Sequence, residues 1–137
     1  MRNAILASLL LFVMPAYAHT EADHALDAAD AACYDDAVTT VEMVECAGES
    51  YERWDRELNL QYTRLMAMLS PEGQQALRES QRKWIAFRDA EFAFIDGAYR
   101  DRQGTMYRPM HIEARTAIVK ARAKQLTMQS FLFESEL

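Results

Sequence analysis

Cys33 and Cys46 are the residues whose chemistry is easiest to read. Twelve residues separate them, and in an oxidising compartment an even pair at that spacing is a disulfide candidate. Closing such a loop stabilises a small domain by about 3 kcal/mol in the chain-entropy model. Catalytic groups are scarce by comparison. The histidines are His19, His24 and His111, and with both thiols committed no nucleophile and base can be paired. Carboxylate pairs such as Asp35 with Asp36, or Glu91 with Asp96, carry no mark of burial or a shifted pKa. The chain is therefore read as a non-enzyme, and no cofactor is expected. A free amine at His19 would lie close to Asp23, His24 and Asp27, all types that bind divalent ions. That spacing matches no familiar site, so a solvated acidic segment is favoured and no metal is expected.

Charge is the second chemical signal. From position 19 to 57 there are twelve acids against Arg53 and Arg56, a net of −10; from 58 to 137 nine acids face twelve bases, a net of +3. Such an asymmetry repels nucleic acid and anionic lipid and steers the chain towards cationic partners. Solubility alone is the competing reading.

The elements that must position these groups begin after a leader. Arg2 gives a positive start, Ala4 to Met14 is almost wholly apolar, and Ala16-Tyr17-Ala18 is a small-x-small cleavage site, so residues 1–18 are expected to be a signal peptide. The apolar run is shorter than the roughly twenty residues that span a bilayer, and no Cys follows it directly, so no membrane anchor is expected after cleavage. Residues 19–32, rich in Ala and Asp, can bury little and are expected to be a flexible acidic lead-in or a short frayed helix. One helical domain is expected over 33–130, with a C-terminal tail at 131–137.

Within that domain, Thr39-Thr40-Val41-Glu42 fits a capping box. Behind it Val44, Ala47, Tyr51, Trp54, Leu58, Tyr62, Leu65 and Leu69 recur at spacings of three and four, which predicts one helix of about 29 residues, about 43 Å long. Ser70-Pro71 ends it and starts a second, with Ser70 as N-cap and Pro71 in the first turn. Leu77, Trp84, Phe92 and Ile95 lie on one face of that second helix, which breaks between Asp96 and Gly104. A third starts near Pro109 and runs to Ser130. No stretch alternates with period two, so the expected fold is all-α: an antiparallel bundle of three main helices built on a long helical hairpin, with one disulfide. Polar residues on the apolar stripes need partners. Arg88 facing Asp55, and Gln81 facing Asn59 or the Tyr62 hydroxyl, would supply them across the hairpin.

Cys33, Glu42, Cys46, then Asp55-Arg56-x-Leu58-Asn59-x-x-Tyr62, then Gln81-Arg82-x-Trp84-x-x-x-Arg88-Asp89, and finally Arg122-x-x-x-Leu126 together form a recognisable pattern. In it the chain resembles the N-terminal domain of the LprI-like lysozyme-inhibitor family, from about Cys33 to Leu126. The resemblance implies an exported, disulfide-held helical domain with Asp55, Leu58, Asn59, Tyr62, Gln81, Trp84 and Arg88 at its signature positions, as scaffold or binding residues. Many relatives carry a further cysteine pair, which this chain replaces by Phe92 and by none near Ala114.

The resemblance and the charge asymmetry point to a periplasmic or secreted binding protein, inhibitor-like, whose protein partner is a cationic lysozyme. Glu42, Glu45, Glu49 and Glu52 are its candidate acidic partner-binding face. The alternative is a structural or adaptor module of the bacterial cell envelope that binds another envelope protein.

Overall fold

In the computed structural model, residues 25–135 are described. The expected signal peptide at 1–18, and His19, Asp23 and His24, lie outside the described residues. Four helices make up the rest: α1 (Ala25–Asp36), α2 (Thr40–Met68), α3 (Pro71–Tyr99) and α4 (Tyr107–Glu134). The fold is all-α, with no strand among the described residues.

The capping chemistry acts where the residue pattern puts it. Thr39 is extended (φ −110°, ψ 157°) and its hydroxyl accepts from the Glu42 backbone N–H at 3.2 Å. The Glu42 carboxylate reaches back to accept from the N–H groups of Thr39 and Val38 at 2.7 and 2.8 Å, which closes the box. These orphan donors hold the Glu42 carboxyl below its ordinary value. Ser70 caps α3 through the Gly73 N–H, with Pro71 in the first turn. The chain turns between α3 and α4 at Gly104, whose φ of 109° suits glycine and few other residues.

Three expectations need correction. Ala25–Asp36 is a helix, the second of the two alternatives for residues 19–32, but it runs through the boundary expected at Cys33. None of its residues is buried; Leu26 packs in part against the core, and the Cys33–Cys46 bond with the polar contacts of Asp27 and Asp30 holds the helix in place. Next, α4 continues to Glu134, four residues past the expected end at Ser130, and takes in most of the expected tail. Among the described residues there are thus four helices, the short α1 beside three long ones.

The third correction concerns the hairpin. Thr40 meets Thr105 at 3.4 Å and Trp54 meets Lys120 at 5.1 Å, so α2 and α4 run parallel. His111 meets Asp96, Arg115 meets Phe92 and Arg122 meets Gln81, so α3 runs antiparallel to α4, and hence to α2. The principal packing is between α2 and α4, with α3 against α4 and α1 against α2. Small buried residues suit that choice: α2 buries Ala47 and Ser50, α4 buries Thr116, Val119 and Ala123, and short side chains let backbones approach. The α3 helix buries fewer residues, Leu77, Phe92 and Ile95, and reaches α2 through bulk, as in the Tyr51–Phe92 ring contact at 6.3 Å.

Trp54, Leu58 and Leu65 of α2, Leu77 and Phe92 of α3, and Val119, Ala123 and Leu126 of α4 form the core. Trp54, Leu65, Val119 and Leu126 are fully enclosed. Each large side chain so enclosed contributes about 1.5–3 kcal/mol.

Candidate functional site

The disulfide forms between Cys33 and Cys46, with Cα atoms 5.7 Å apart, and ties the last turn of α1 to the second turn of α2. One turn further in, Asp30 Oδ2 accepts from the Ser50 hydroxyl at 2.7 Å and the Trp54 indole at 2.8 Å. Its Oδ1 accepts from Arg53 at 2.8 and 3.3 Å. Asp27 bonds to Lys120 and, at 2.9 Å, to Lys124. Burial raises the Asp27 pKa, but the two ammonium groups outweigh it and hold the carboxyl below its ordinary value. Two of the acids in the strongly negative third are thus spent on structure.

Cys46, Ala47, Ser50 and Trp54 are buried along the inner side of α2. Glu42, Glu45, Glu49 and Glu52 all lie exposed along the same helix. Glu49 bonds Arg53 at 3.2 Å and Glu52 pairs with Arg56 at 3.6 Å, both exposed one-turn pairs of small energetic weight. Glu42 is exposed even while it serves the cap. Asp35 and Asp36, at the end of α1, are exposed as well and extend the negative surface around the α1–α2 turn.

The signature residues lie elsewhere. Leu58 is in the core, and Tyr62 packs against it. Asp55 and Asn59 pair within α2, where the Asn59 amide donates to the Asp55 carbonyl at 2.8 Å and its carboxylate at 3.3 Å. Neither expected cross-hairpin pair forms: Arg88 bonds the adjacent Asp89 at 2.7 Å, and Gln81 accepts from Arg122 of α4 at 3.1 Å. The reason is the helix order, since α4 stands nearest to both α2 and α3. Trp84 faces two guanidinium groups, Arg88 at 5.5 Å and Arg122 at 6.0 Å. Gln81, Trp84, Arg88 and Arg122 therefore form one cluster on the α3–α4 interface, while Asp55 and Asn59 stay on α2.

The spacing of that cluster is matched at the level of the whole domain. The family model for the lysozyme inhibitor LprI matches residues 31–126. The chain belongs to the LprI family. No curated protein and no solved structure matches it. The match runs from α1 across α2 and α3 to Leu126 of α4, and so takes in both cysteines and every signature residue. LprI is described as a lysozyme inhibitor, so the match is to an inhibitor family.

Further properties bear on what an LprI domain here can do. No helix among the described residues is long and apolar enough to cross a membrane. Among them no group of three or more His, Cys, Asp or Glu is placed to hold a metal ion. Residue-type reasoning passed over Asp30 as a docking residue, because in sequence it is one Asp among several in an Ala-rich stretch. Spacing had a signal to offer: Asp30 falls one helical turn before Cys33, as Ser50 and Trp54 fall one and two turns after Cys46.

Proposed function

We propose that this LprI protein is exported and acts as a lysozyme inhibitor by non-covalent binding, without catalysis, presenting the acidic flank of α2 to a cationic lysozyme. The carrying observation is that Glu42, Glu45, Glu49 and Glu52 all lie exposed on a helix fixed by a disulfide, with Asp35 and Asp36 beside them. Anchoring matters because a preorganised face loses little entropy on binding. The leader expected at 1–18 and a cysteine pair suited to an oxidising compartment support export, with the periplasm or the medium as the site of action.

The test is a lysozyme turbidity assay with the purified chain, run with and without reductant. Inhibition should weaken as salt rises, and Glu45→Lys with Glu49→Lys should weaken it most by slowing association. Full lysozyme activity in a large excess of the oxidised protein overturns the reading.

A second reading, an adaptor of the cell envelope, draws on Met128, Phe131, Leu132 and Phe133, apolar side chains exposed together at the end of α4. An adaptor leaves lysozyme activity untouched, and substitutions on the α2 flank leave its binding unchanged.

A further inference from the structure

At the end of the bundle where α3 turns into α4 there is an open cleft of about 750 Å³, within the range of small-molecule sites. Its charge is opposite to that of the α2 flank. Arg100, Arg102, Arg108 and Arg115 line it against a single lining carboxylate, Asp96, a surplus of three positive charges with His111 counted neutral. Counting Asp101, the next acid in the same turn, still leaves two.

Structural duty does not account for this concentration. Asp96 is already engaged, with His111 at 2.7 Å and Arg115 at 3.6 Å. Arg100, Arg102 and Arg108 are exposed and form no ion pair among the described residues. Arg115 lies over the Phe92 ring at 4.2 Å, and its Nε is buried without a hydrogen-bond partner, an orphaned donor in the wall of the cleft. Like charges held together on one short turn repel one another, and an anion between them relieves that cost. The remaining wall is aromatic: Tyr99 packs edge-on against both Tyr107 and His111, at 6.4 and 5.5 Å, and Arg102 stacks over Tyr107 at 5.9 Å. Ring contacts thus hold two of the four guanidinium groups, those of Arg102 and Arg115, at the cleft.

We propose that this cleft binds a compact polyanion, a molecule or headgroup that carries phosphate or carboxylate groups with at least two negative charges. Guanidinium forks match the planar oxygen pairs of both groups and bind them bidentately. The tyrosine wall receives an attached apolar or ring portion. The site does not rest on the lysozyme reading, because it uses α3 and α4 and the opposite sign of charge.

Calorimetric titration of the purified chain with pyrophosphate and with citrate at low salt tests it, alongside amide and imidazole NMR shifts of Gly104 and His111. One-site binding is expected, with shifts at both reporters. Arg102→Gln with Arg108→Gln should weaken it at least about tenfold, since each substitution removes a charge-assisted bond. Both residues are exposed, so the helical circular dichroism should be unchanged. Arg64→Gln with Arg78→Gln, outside the cleft, should bind as the parent does. Vesicles of phosphatidylglycerol separate the sources. Vesicle binding displaced by pyrophosphate makes the ligand a lipid headgroup, and pyrophosphate binding without vesicle binding makes it a free polyanion. Absence of heat and of shifts with both probes overturns the proposal. So do equal losses in the control pair, or vesicle binding that pyrophosphate does not displace.

Discussion

The indole N–H of Trp54 donates to Asp30 Oδ2 at 2.8 Å, so the most enclosed ring of the core is hydrogen-bonded to a helix that itself buries no residue. The same carboxylate serves Ser50 and Arg53. Asp30→Ala leaves four donor groups on three residues short of an acceptor and the partly buried Arg53 guanidinium with Glu49 alone as counter-charge, and should cost about 2–4 kcal/mol in urea unfolding. Asp30→Asn keeps one accepting oxygen and should cost less. A loss for Asp30→Ala below about 0.5 kcal/mol, in the range of ordinary surface substitutions, would show that water takes over the role of the carboxylate.

Reduction of the Cys33–Cys46 bridge should act on the same helix. The bond closes a short loop, and the chain-entropy model puts its contribution at about 3 kcal/mol. With reductant, or with Cys33→Ser and Cys46→Ser together, the unfolding midpoint should fall by an amount worth about 2–4 kcal/mol. Amides of α1 should then exchange with solvent sooner than those of α2, because α1 buries no residue and keeps the Asp27 and Asp30 contacts with the partial packing of Leu26. Uniform exchange across both helices counts against a local role for the bridge.

Stability should also respond to acid through Asp27. Its folded pKa lies below its ordinary value, near 4, because Lys120 and Lys124 favour the carboxylate more than burial opposes it. The stability that this group confers is therefore complete above the unfolded pKa and is lost as pH falls through the folded one. The parent should exceed Asp27→Asn in stability at about pH 6, and the gap should close towards about pH 3. A gap that holds constant with pH means the Lys contacts do not depend on the charge.

The long helices were legible because their signals are local. The capping box at Thr39, the Ser70-Pro71 start and the three-to-four spacing of Trp54, Leu58 and Leu65 all act within one or two turns. Helix order was not legible. Nothing around Arg88 or Gln81 says whether the facing helix is α2 or α4, and the short turn at Ser70 suggested α2. The small residues buried on the two helices, Ala47 and Ser50 on α2 and Thr116 and Ala123 on α4, favour their close packing, and they lie far apart in sequence. The acidic flank was visible as a charge count, but not which acids stay outside: Asp27 and Asp30 look like Asp35 and Asp36 until the partners Lys120 and Arg53 are in place.

Arg122 offers the sharpest separation of scaffold from signature. It is 7% exposed, yet its hydrogen bonds go to neutral groups, the side chains of Gln81, Ser80 and Gln125, and burial lowers its pKa. A buried cation without a carboxylate is held at a desolvation cost that neutral acceptors offset only in part. Its long apolar stem meanwhile fills space beside Trp84. Arg122→Met keeps that volume and removes the charge, and the three acceptors, on half-buried or exposed residues, can turn to water. It should fold within about 1 kcal/mol of the parent, whereas Arg122→Ala, which leaves a void against Trp84, should lose about 2–3 kcal/mol. If the two variants lose equally, the guanidinium hydrogen bonds to Gln81 and not its packing hold α3 to α4. If Arg122→Met folds as well as the parent but fails in the lysozyme assay, the Gln81, Trp84 and Arg122 cluster is part of the binding surface, and the acidic flank of α2 is then not sufficient for inhibition.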